Sequence, residues 1–229
     1  MSPPVASIQG PQHSGRVYPF RAPEREALAG LPVGARILDL GCSGGANLDR
    51  LSGGGWVVGL DTSQRDLVRA RRVAPVVAGI GEHLPFGQSV FDLVYVSHVL
   101  HHTVDHVQVL AEIRRVLKPG GLAFLIETFE DSPGIRLARW VHGHWQAVEV
   151  HSRFRFGDLH QAVEASGLEV DEGRQFNVVY WVWDLAQLRV PSLARLVRQA
   201  EWVELAADRR FRRWSAHGYL VARRPPSQH

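Results

Sequence analysis

The sequence predicts an α/β fold, in which helices cover both faces of a mostly parallel β-sheet. From about residue 35, short apolar runs closed by glycine or turn residues alternate with segments whose apolar residues recur at helical spacing. The runs are mainly apolar rather than alternating, as in parallel strands that are buried on both faces. A chain of 229 residues with 45% hydrophobic residues has the length and apolar content for one such domain.

The elements follow in a regular order. Five strands are predicted in the first part of the chain, at 35–40, 56–61, 74–78, 91–96 and 122–127. A helix over 104–117 precedes the fifth strand, and Pro119-Gly120-Gly121 ends that helix. The later part predicts a helix over 158–166, a strand over 168–173, an amphipathic helix over 192–214 and a last strand over 218–222.

Two segments, 129–157 and 177–214, interrupt the alternation and are expected to form a small cap. They hold six of the seven tryptophans. These rings either fill a second small core or form an aromatic wall against a flat or lipophilic ligand. Residues 1–22, which begin rich in Pro, Ser and Gly, are expected to form a partly disordered arm before a domain of 23–229.

Charge and composition bear on anionic partners, on membrane insertion and on the cellular compartment. Nine arginines fall within 189–224 and could meet an anionic partner, but apolar residues alternate with them, as on a solvated helix face. No run approaches 18 apolar residues, so no membrane span is expected. The single cysteine, Cys42, and the absence of a signal-peptide pattern at the start favour the cytoplasm.

The most informative stretch is 37–51, with the sequence ILDLGCSGGANLDRL. A strand ends at Asp39, glycines follow, and a helix is predicted from about Ala46. Glycine suits a tight strand-to-helix turn, and the helix N-terminus offers free N–H groups to an anionic part of a ligand. Asp61, at the end of the next strand, is placed to accept hydrogen bonds from both ribose hydroxyls. These features indicate an adenosine-containing ligand and leave its chemistry open.

Later motifs decide between the possible ligands. Gly81-Glu82-His83-Leu84-Pro85-Phe86 follows the third strand, Phe91-Asp92-Leu93-Val94 opens the fourth, and 110–121 reads LAEIRRVLKPGG. In this order the sequence resembles class I S-adenosylmethionine-dependent methyltransferases, specifically the type 11 methyltransferase domain family, over 36–127. The resemblance implies a Rossmann-like, seven-stranded, mostly parallel sheet and S-adenosylmethionine as cofactor.

The resemblance also implies roles for individual residues. Asp39 would help to hold the cofactor ammonium, and the turn around it would line the methionine end through Gly41, Cys42, Ser43 and Gly45. Asp61 would bind the ribose, with Thr62 beside it. Gly81 and Glu82 would lie by the adenine, and Ser97 and His98 would face the sulfonium.

Two positions depart from the family pattern. Ser43 stands where many members have glycine, so the turn must accommodate a side chain. Ile80 stands where many members have an aspartate that receives the adenine amino group, which leaves apolar packing and backbone to hold that edge. These departures keep a non-catalytic cofactor-binding partner protein open as an alternative function.

Methyl transfer requires an aligned acceptor, a dry site and, for a protonated acceptor, a base. We expect His98 to be the catalytic candidate, and His101 and His102 to begin a helix and pack. Cys42 is expected to pack rather than act as a nucleophile, and no metal site is expected. The predicted reaction methylates an O, N or C atom of a small organic acceptor, and an aromatic or lipophilic acceptor would suit an aromatic wall in the cap. A nicotinamide-dependent oxidoreductase fits the glycine order poorly. A nucleic-acid substrate is not expected, because Ser97-His98-Val99-Leu100 stands where base-modifying relatives carry a different tetrad.

Overall fold

The computed structural model describes residues 21–129, 132, 133, 136, 154–176, 214, 215 and 217–226. Its centre is a seven-stranded sheet. The strands are β1 (Arg36–Leu40), β2 (Trp56–Asp61), β3 (Val76–Ala78), β4 (Phe91–Ser97), β5 (Leu117–Thr128), β6 (Glu169–Phe176) and β7 (His217–Arg223). Their order in the sheet is β3-β2-β1-β4-β5-β7-β6. All pairings are parallel except those of β7, which runs antiparallel to β5 and to β6. The predicted Rossmann-like sheet is confirmed.

Helices cover both faces of this sheet and divide the core into two layers. One layer joins one face of the strands to α1 (Arg21–Ala29), α2 (Leu48–Leu51) and α3 (Gln64–Ala70). The other joins the opposite face to α4 (His106–Val116) and α5 (Phe156–Ala165). Side chains cap two helix starts, since Ser63 accepts a hydrogen bond from the backbone of α3 and Asp105 from that of α4.

Two of the corrections to the predicted element bounds concern the helix after β1 and the start of β5. The helix predicted to begin near Ala46 starts at Leu48, because turns occupy the preceding residues. The fifth strand, predicted at 122–127, begins at Leu117, directly after α4. Pro119 has no N–H to give a sheet and Gly120 has φ +79°, so the chain bulges there, and pairing with β4 resumes at Leu122.

The topology brings several strand ends to one edge of the sheet. The carboxyl ends of β1, β2, β4 and β5 meet there because these strands are parallel. The antiparallel β7 begins at the same edge, where His217 pairs with Thr128. Among the residues that the structure describes, no helix is long and apolar enough to cross a membrane. The predicted arm, most of both cap segments and the helix over 192–214 lie outside those residues.

Candidate functional site

The glycine turn after β1 has a backbone that few side chains tolerate. Gly41 and Gly45 have φ values of +76° and +90°. A Cβ on Gly41 would lie 2.2 Å from the Cγ2 methyl of Val99, which follows β4. The Gly41 and Cys42 N–H groups both donate to the carbonyl of Leu60, at 2.7 and 3.1 Å, which ties the turn to β2. The turn is therefore tied to β2, and Val99 packs against the side of Gly41 where a Cβ would lie, so a larger residue does not fit there.

Asp61 anchors the same turn from the end of β2. Its Oδ2 accepts the N–H of Ser43 and its Oδ1 that of Ser63, each at 2.8 Å. Ser43 has φ +47°, so the predicted departure at this position is accommodated by a left-handed backbone. A carboxylate has about four acceptor sites, so Asp61 can still accept from two hydroxyls. The neighbouring Thr62 is exposed.

Asp39, near the end of β1, carries a fully buried carboxyl group. It is 0% exposed, and neither carboxylate oxygen has a hydrogen-bond partner among the described residues. Burial raises its pKa from 3.8 to about 7, against the opposing effects of Arg50 and Asn47 nearby. Arg50 itself is engaged by Glu24 and lies over the ring of Tyr95. An orphaned buried carboxylate is suited to a cation from outside the chain, such as an ammonium group.

The predicted adenine side is partly apolar. Ile80 is 46% exposed and precedes Gly81, where a Cβ would come within 3.2 Å of Val109 on α4. The Glu82 carboxylate accepts the N–H of Val104 at 3.1 Å, which fixes the chain just before α4. One oxygen of this carboxylate is therefore used to hold the protein's own backbone, and the Glu82 main-chain carbonyl accepts a hydrogen bond from the Gln108 side chain at 3.3 Å.

Ser97 ends β4 at the expected edge, and His98 directly follows it. Both are half-buried, and His98 has the unusual φ of +57°. Its N–H donates to the Ile126 carbonyl at 2.8 Å, and its Nδ1 lies 3.2 Å from the hydroxyl oxygen of Thr128. The His98 and His217 rings meet edge to face at 5.2 Å. Two imidazole groups, one just after β4 and one at the start of β7, therefore meet at the carboxyl edge of the parallel strands.

The sequence analysis missed a carboxylate at this edge. Glu127 of β5 is 0% exposed, and its Oε2 lies 2.6 Å from Nδ1 of His101. Its Oε1 accepts the N–H groups of Val99 and Leu100, at 3.0 and 2.7 Å. Burial alone would raise the pKa of Glu127, but the hydrogen bond and charge of His101 lower it below its usual value. An acidic residue near the end of a buried strand was the available signal.

Two further expectations concern thiol and metal chemistry. Cys42 is 2% exposed, and burial raises the pKa of its thiol to about 12. The thiol is therefore protonated at neutral pH, which agrees with the expected packing role. The part of the chain that the structure describes holds no group of three His, Cys, Asp or Glu side chains suited to a metal ion.

Comparison with known proteins identifies the fold and the family. The model of the methyltransferase domain family matches residues 38–125. An uncharacterized methyltransferase of Synechocystis is 42% identical over 105 residues, 43% of this chain and 50% of that protein. The chain thus spans half the length of that relative.

Two relatives carry more specific names. A ubiquinone biosynthesis O-methyltransferase of Cereibacter sphaeroides is 30% identical over 189 residues, 71% of this chain and 73% of that protein. A demethylmenaquinone methyltransferase of Mycolicibacterium vanbaalenii is 39% identical over 110 residues, 47% of this chain and 48% of that protein.

Solved structures share the fold at low sequence identity. A methyltransferase of Haloferax volcanii, solved with an activator protein, has a TM-score of 0.64 at 21% identity and covers 88% of each chain. An S-adenosylmethionine-dependent methyltransferase of Mesorhizobium loti has a TM-score of 0.60 at 22% identity, covering 88% of this chain and 96% of that one. The family model, the extended relatives and the shared fold agree, and the chain belongs to the class I S-adenosylmethionine-dependent methyltransferases with a type 11 methyltransferase domain.

Proposed function

We propose that this chain transfers a methyl group from S-adenosylmethionine to a hydroxyl oxygen of a small lipophilic acceptor. The observation that carries the cofactor assignment is the buried carboxyl of Asp39 beside the glycine turn, whose oxygens have no hydrogen-bond partner among the residues that the structure describes. A dinucleotide would instead bring a negatively charged pyrophosphate to that turn, where the ionised Asp39 carboxylate would repel it. S-adenosylmethionine brings an ammonium group, which a buried carboxylate stabilises.

The described residues fit this cofactor along its length. Asp39 would hold the ammonium, directly or through water, and the backbone from Gly41 to Gly45 would line the methionine end. Asp61, already oriented by two backbone N–H groups, would accept the ribose hydroxyls. Ile80 would cover the adenine with an apolar side chain, with the main chain of Gly81 and Glu82 beside it. When bound, the cofactor supplies a methyl group that its sulfonium has already activated.

The protein's own work is then to align the acceptor and exclude water. Ser97 and His98 lie at the carboxyl end of β4, and we propose that the methyl group of the cofactor points towards them. We propose that the cap segments 129–157 and 177–214 cover the acceptor and recognise it through their aromatic residues. A cytoplasmic location is part of the same proposal.

The acceptor class is supported by two named relatives. One is named for ubiquinone biosynthesis and O-methylation, and the other for demethylmenaquinone. Both names concern ring compounds with lipophilic character, which agrees with the tryptophan content of the cap segments. A hydroxyl on an aromatic ring is the simplest acceptor that fits both the O-methylation and the aromatic wall.

A methyl-transfer assay tests the proposal. The purified chain is incubated with methyl-labelled S-adenosylmethionine and an alkylcatechol, and the products are separated by mass. We expect a mono-O-methylated catechol and equimolar S-adenosylhomocysteine. Binding of S-adenosylmethionine with no methylation of any ring hydroxyl would favour the non-catalytic partner protein instead.

Two tryptophan variants distinguish whether the cap tryptophans line an acceptor pocket or fill a second hydrophobic core. Trp145→Ala should raise KM for the catechol and leave cofactor affinity unchanged. Trp56→Ala is the control, because Trp56 opens β2 at the opposite edge of the sheet and is 52% exposed. If Trp145→Ala loses about 3–5 kcal/mol of stability with normal kinetics, the tryptophan belongs to a core rather than to the pocket.

A further inference from the structure

We propose that His101 and Glu127 form a catalytic dyad, in which His101 is the base that removes the acceptor's hydroxyl proton and Glu127 is its positioning residue. The inference rests on the proposed O-methylation and assigns that reaction a base other than the expected His98. It is carried by the 2.6 Å contact between the two side chains and by the full burial of Glu127.

The hydrogen bonds of Glu127 determine which nitrogen of His101 carries its proton. Oε1 of Glu127 already accepts the Val99 and Leu100 N–H groups, and Oε2 faces Nδ1 of His101. The pKa of Glu127 is lowered, so the group is an ionised acceptor and Nδ1 must donate to it. The neutral imidazole then has an unprotonated Nε2, which makes no hydrogen bond to any residue that the structure describes.

Val99 connects this dyad to the cofactor turn. Its N–H donates to Glu127, and its Cγ2 methyl fills the space that a Cβ on Gly41 would need. The dyad is therefore one residue away from the backbone that lines the methionine end of the cofactor. The side chain of His101 is 14% exposed, whereas that of Glu127 is fully buried.

One carboxylate and two other imidazole rings surround His101. Its neighbours at this edge are Glu127 below and the rings of His98 and His102, at centroid distances of 6.3 and 4.0 Å. His217 of β7 packs against His98 from the far side. Glu127 is the carboxylate in contact with His101, and its negative charge stabilises the imidazolium that forms when Nε2 gains a proton.

The proposed step balances in atoms and charge. The acceptor O–H bond breaks and its proton goes to Nε2 of His101. The oxygen forms a bond to the donated methyl carbon, whose bond to sulfur breaks with both electrons left on sulfur. The imidazolium gives its proton to water after the product leaves, which restores the neutral ring. No oxidant, reductant or metal is needed.

Glu127→Gln gives a direct test in the cofactor-free protein. The Gln carbonyl must keep the two backbone N–H donors, so its NH2 group faces Nδ1 of His101 and forces the proton onto Nε2. Nitrogen-15 NMR of the imidazole at pH 8 should show the Nδ1–H tautomer in the wild type and the Nε2–H tautomer in the variant. An Nε2–H tautomer in the wild type, or no change in the variant, would overturn the proposal.

Turnover of an alkylcatechol gives the second test. His101→Asn keeps a donor in the place of Nδ1 and removes Nε2, so the fold and cofactor affinity should be normal. Both variants should lower kcat with the catechol by about 10²–10⁴-fold, the usual effect of losing a general base. The control is His160→Asn, which disrupts an exposed His–Glu pair on α5 and should not change kcat.

The outcomes separate this inference from the function on which it rests. If His101→Asn retains kcat within threefold, or His98→Asn loses more, His101 is not the base. If the wild type binds the cofactor but methylates no catechol, the proposed O-methylation fails rather than the assignment of the base. In that case the NMR experiment still shows whether Glu127 keeps the proton of His101 on Nδ1, which leaves Nε2 able to accept a proton.

Discussion

Replacing Asp39 with asparagine should stabilise the cofactor-free protein at high pH while weakening cofactor binding. The carboxyl is fully buried, has no hydrogen-bond partner in the described part of the chain, and has its pKa raised from 3.8 to about 7. The folded protein therefore binds a proton that the unfolded chain has already lost between these pH values. Stability must fall as the pH rises through this window.

The size of the effect follows from the pKa. Each tenfold change in proton affinity corresponds to about 1.4 kcal/mol, so the ionised Asp39 lowers the free energy of unfolding by about 4 kcal/mol above pH 7. About 3 kcal/mol of this appears between pH 5 and pH 8. The asparagine side chain cannot ionise, so the stability difference between Asp39→Asn and the wild type should change by about that amount in favour of the variant.

Urea unfolding at pH 5 and pH 8 measures the stability difference, and calorimetry measures S-adenosylmethionine binding. The wild type should bind more tightly as the pH rises towards 7 and Asp39 ionises, whereas the variant should bind about 10–100-fold more weakly at pH 8. Asp49→Asn, the same change on an exposed residue of α2, is the control. Equal pH dependence in both variants and the wild type would refute the assigned protonation of Asp39.

Four further predictions concern the cofactor turn and its surroundings. Asp61→Ala should weaken binding of S-adenosylmethionine by about 1.5–3 kcal/mol in calorimetry; normal binding would remove Asp61 from the ribose. Gly41→Ala should lose cofactor binding or stability, because its Cβ would lie 2.2 Å from the Cγ2 methyl of Val99. The control is Gly34→Ala, since Gly34 has the same φ of +76° but no atom within 4 Å of its Cβ position. This control should cost only about 1–2 kcal/mol of stability in urea unfolding. Ile80→Asp should tighten cofactor binding by about 1 kcal/mol if the new carboxylate receives the adenine amino group; an unchanged Kd would place the adenine elsewhere. Cys42 should resist iodoacetamide at pH 8 until the chain unfolds, since the pKa of its thiol is about 12; rapid labelling of the folded protein would contradict its burial.

The sheet could be predicted because its signals are local. Apolar runs closed by turn residues marked six strands to within three residues at each end. The start of β5 could not be predicted, since a strand with a Pro119-Gly120 bulge forms only where β4 offers a partner. The helix predicted from Val104 begins instead at His106, because the side chain of Asp105 caps its start.

The site was only partly predictable for a different reason. Asp39, Asp61 and the glycine turn follow one another at motif spacing, so a sequence pattern identifies them. Glu127 and His101 are 26 residues apart, and only the pairing of β5 beside β4 brings them together. Glu82 lies within a motif, but its side chain accepts a hydrogen bond from the backbone of Val104, just before α4. The motif contains no residue that indicates this contact.

The most direct test of the central claim is calorimetric titration of the wild-type chain with S-adenosylmethionine, S-adenosylhomocysteine, NAD and NADP under identical conditions. The site built from Asp39, the glycine turn and Asp61 predicts saturable one-to-one binding of both methionine derivatives, and no binding of either nicotinamide. Binding of NAD or NADP without either methionine derivative would contradict the assignment of this site.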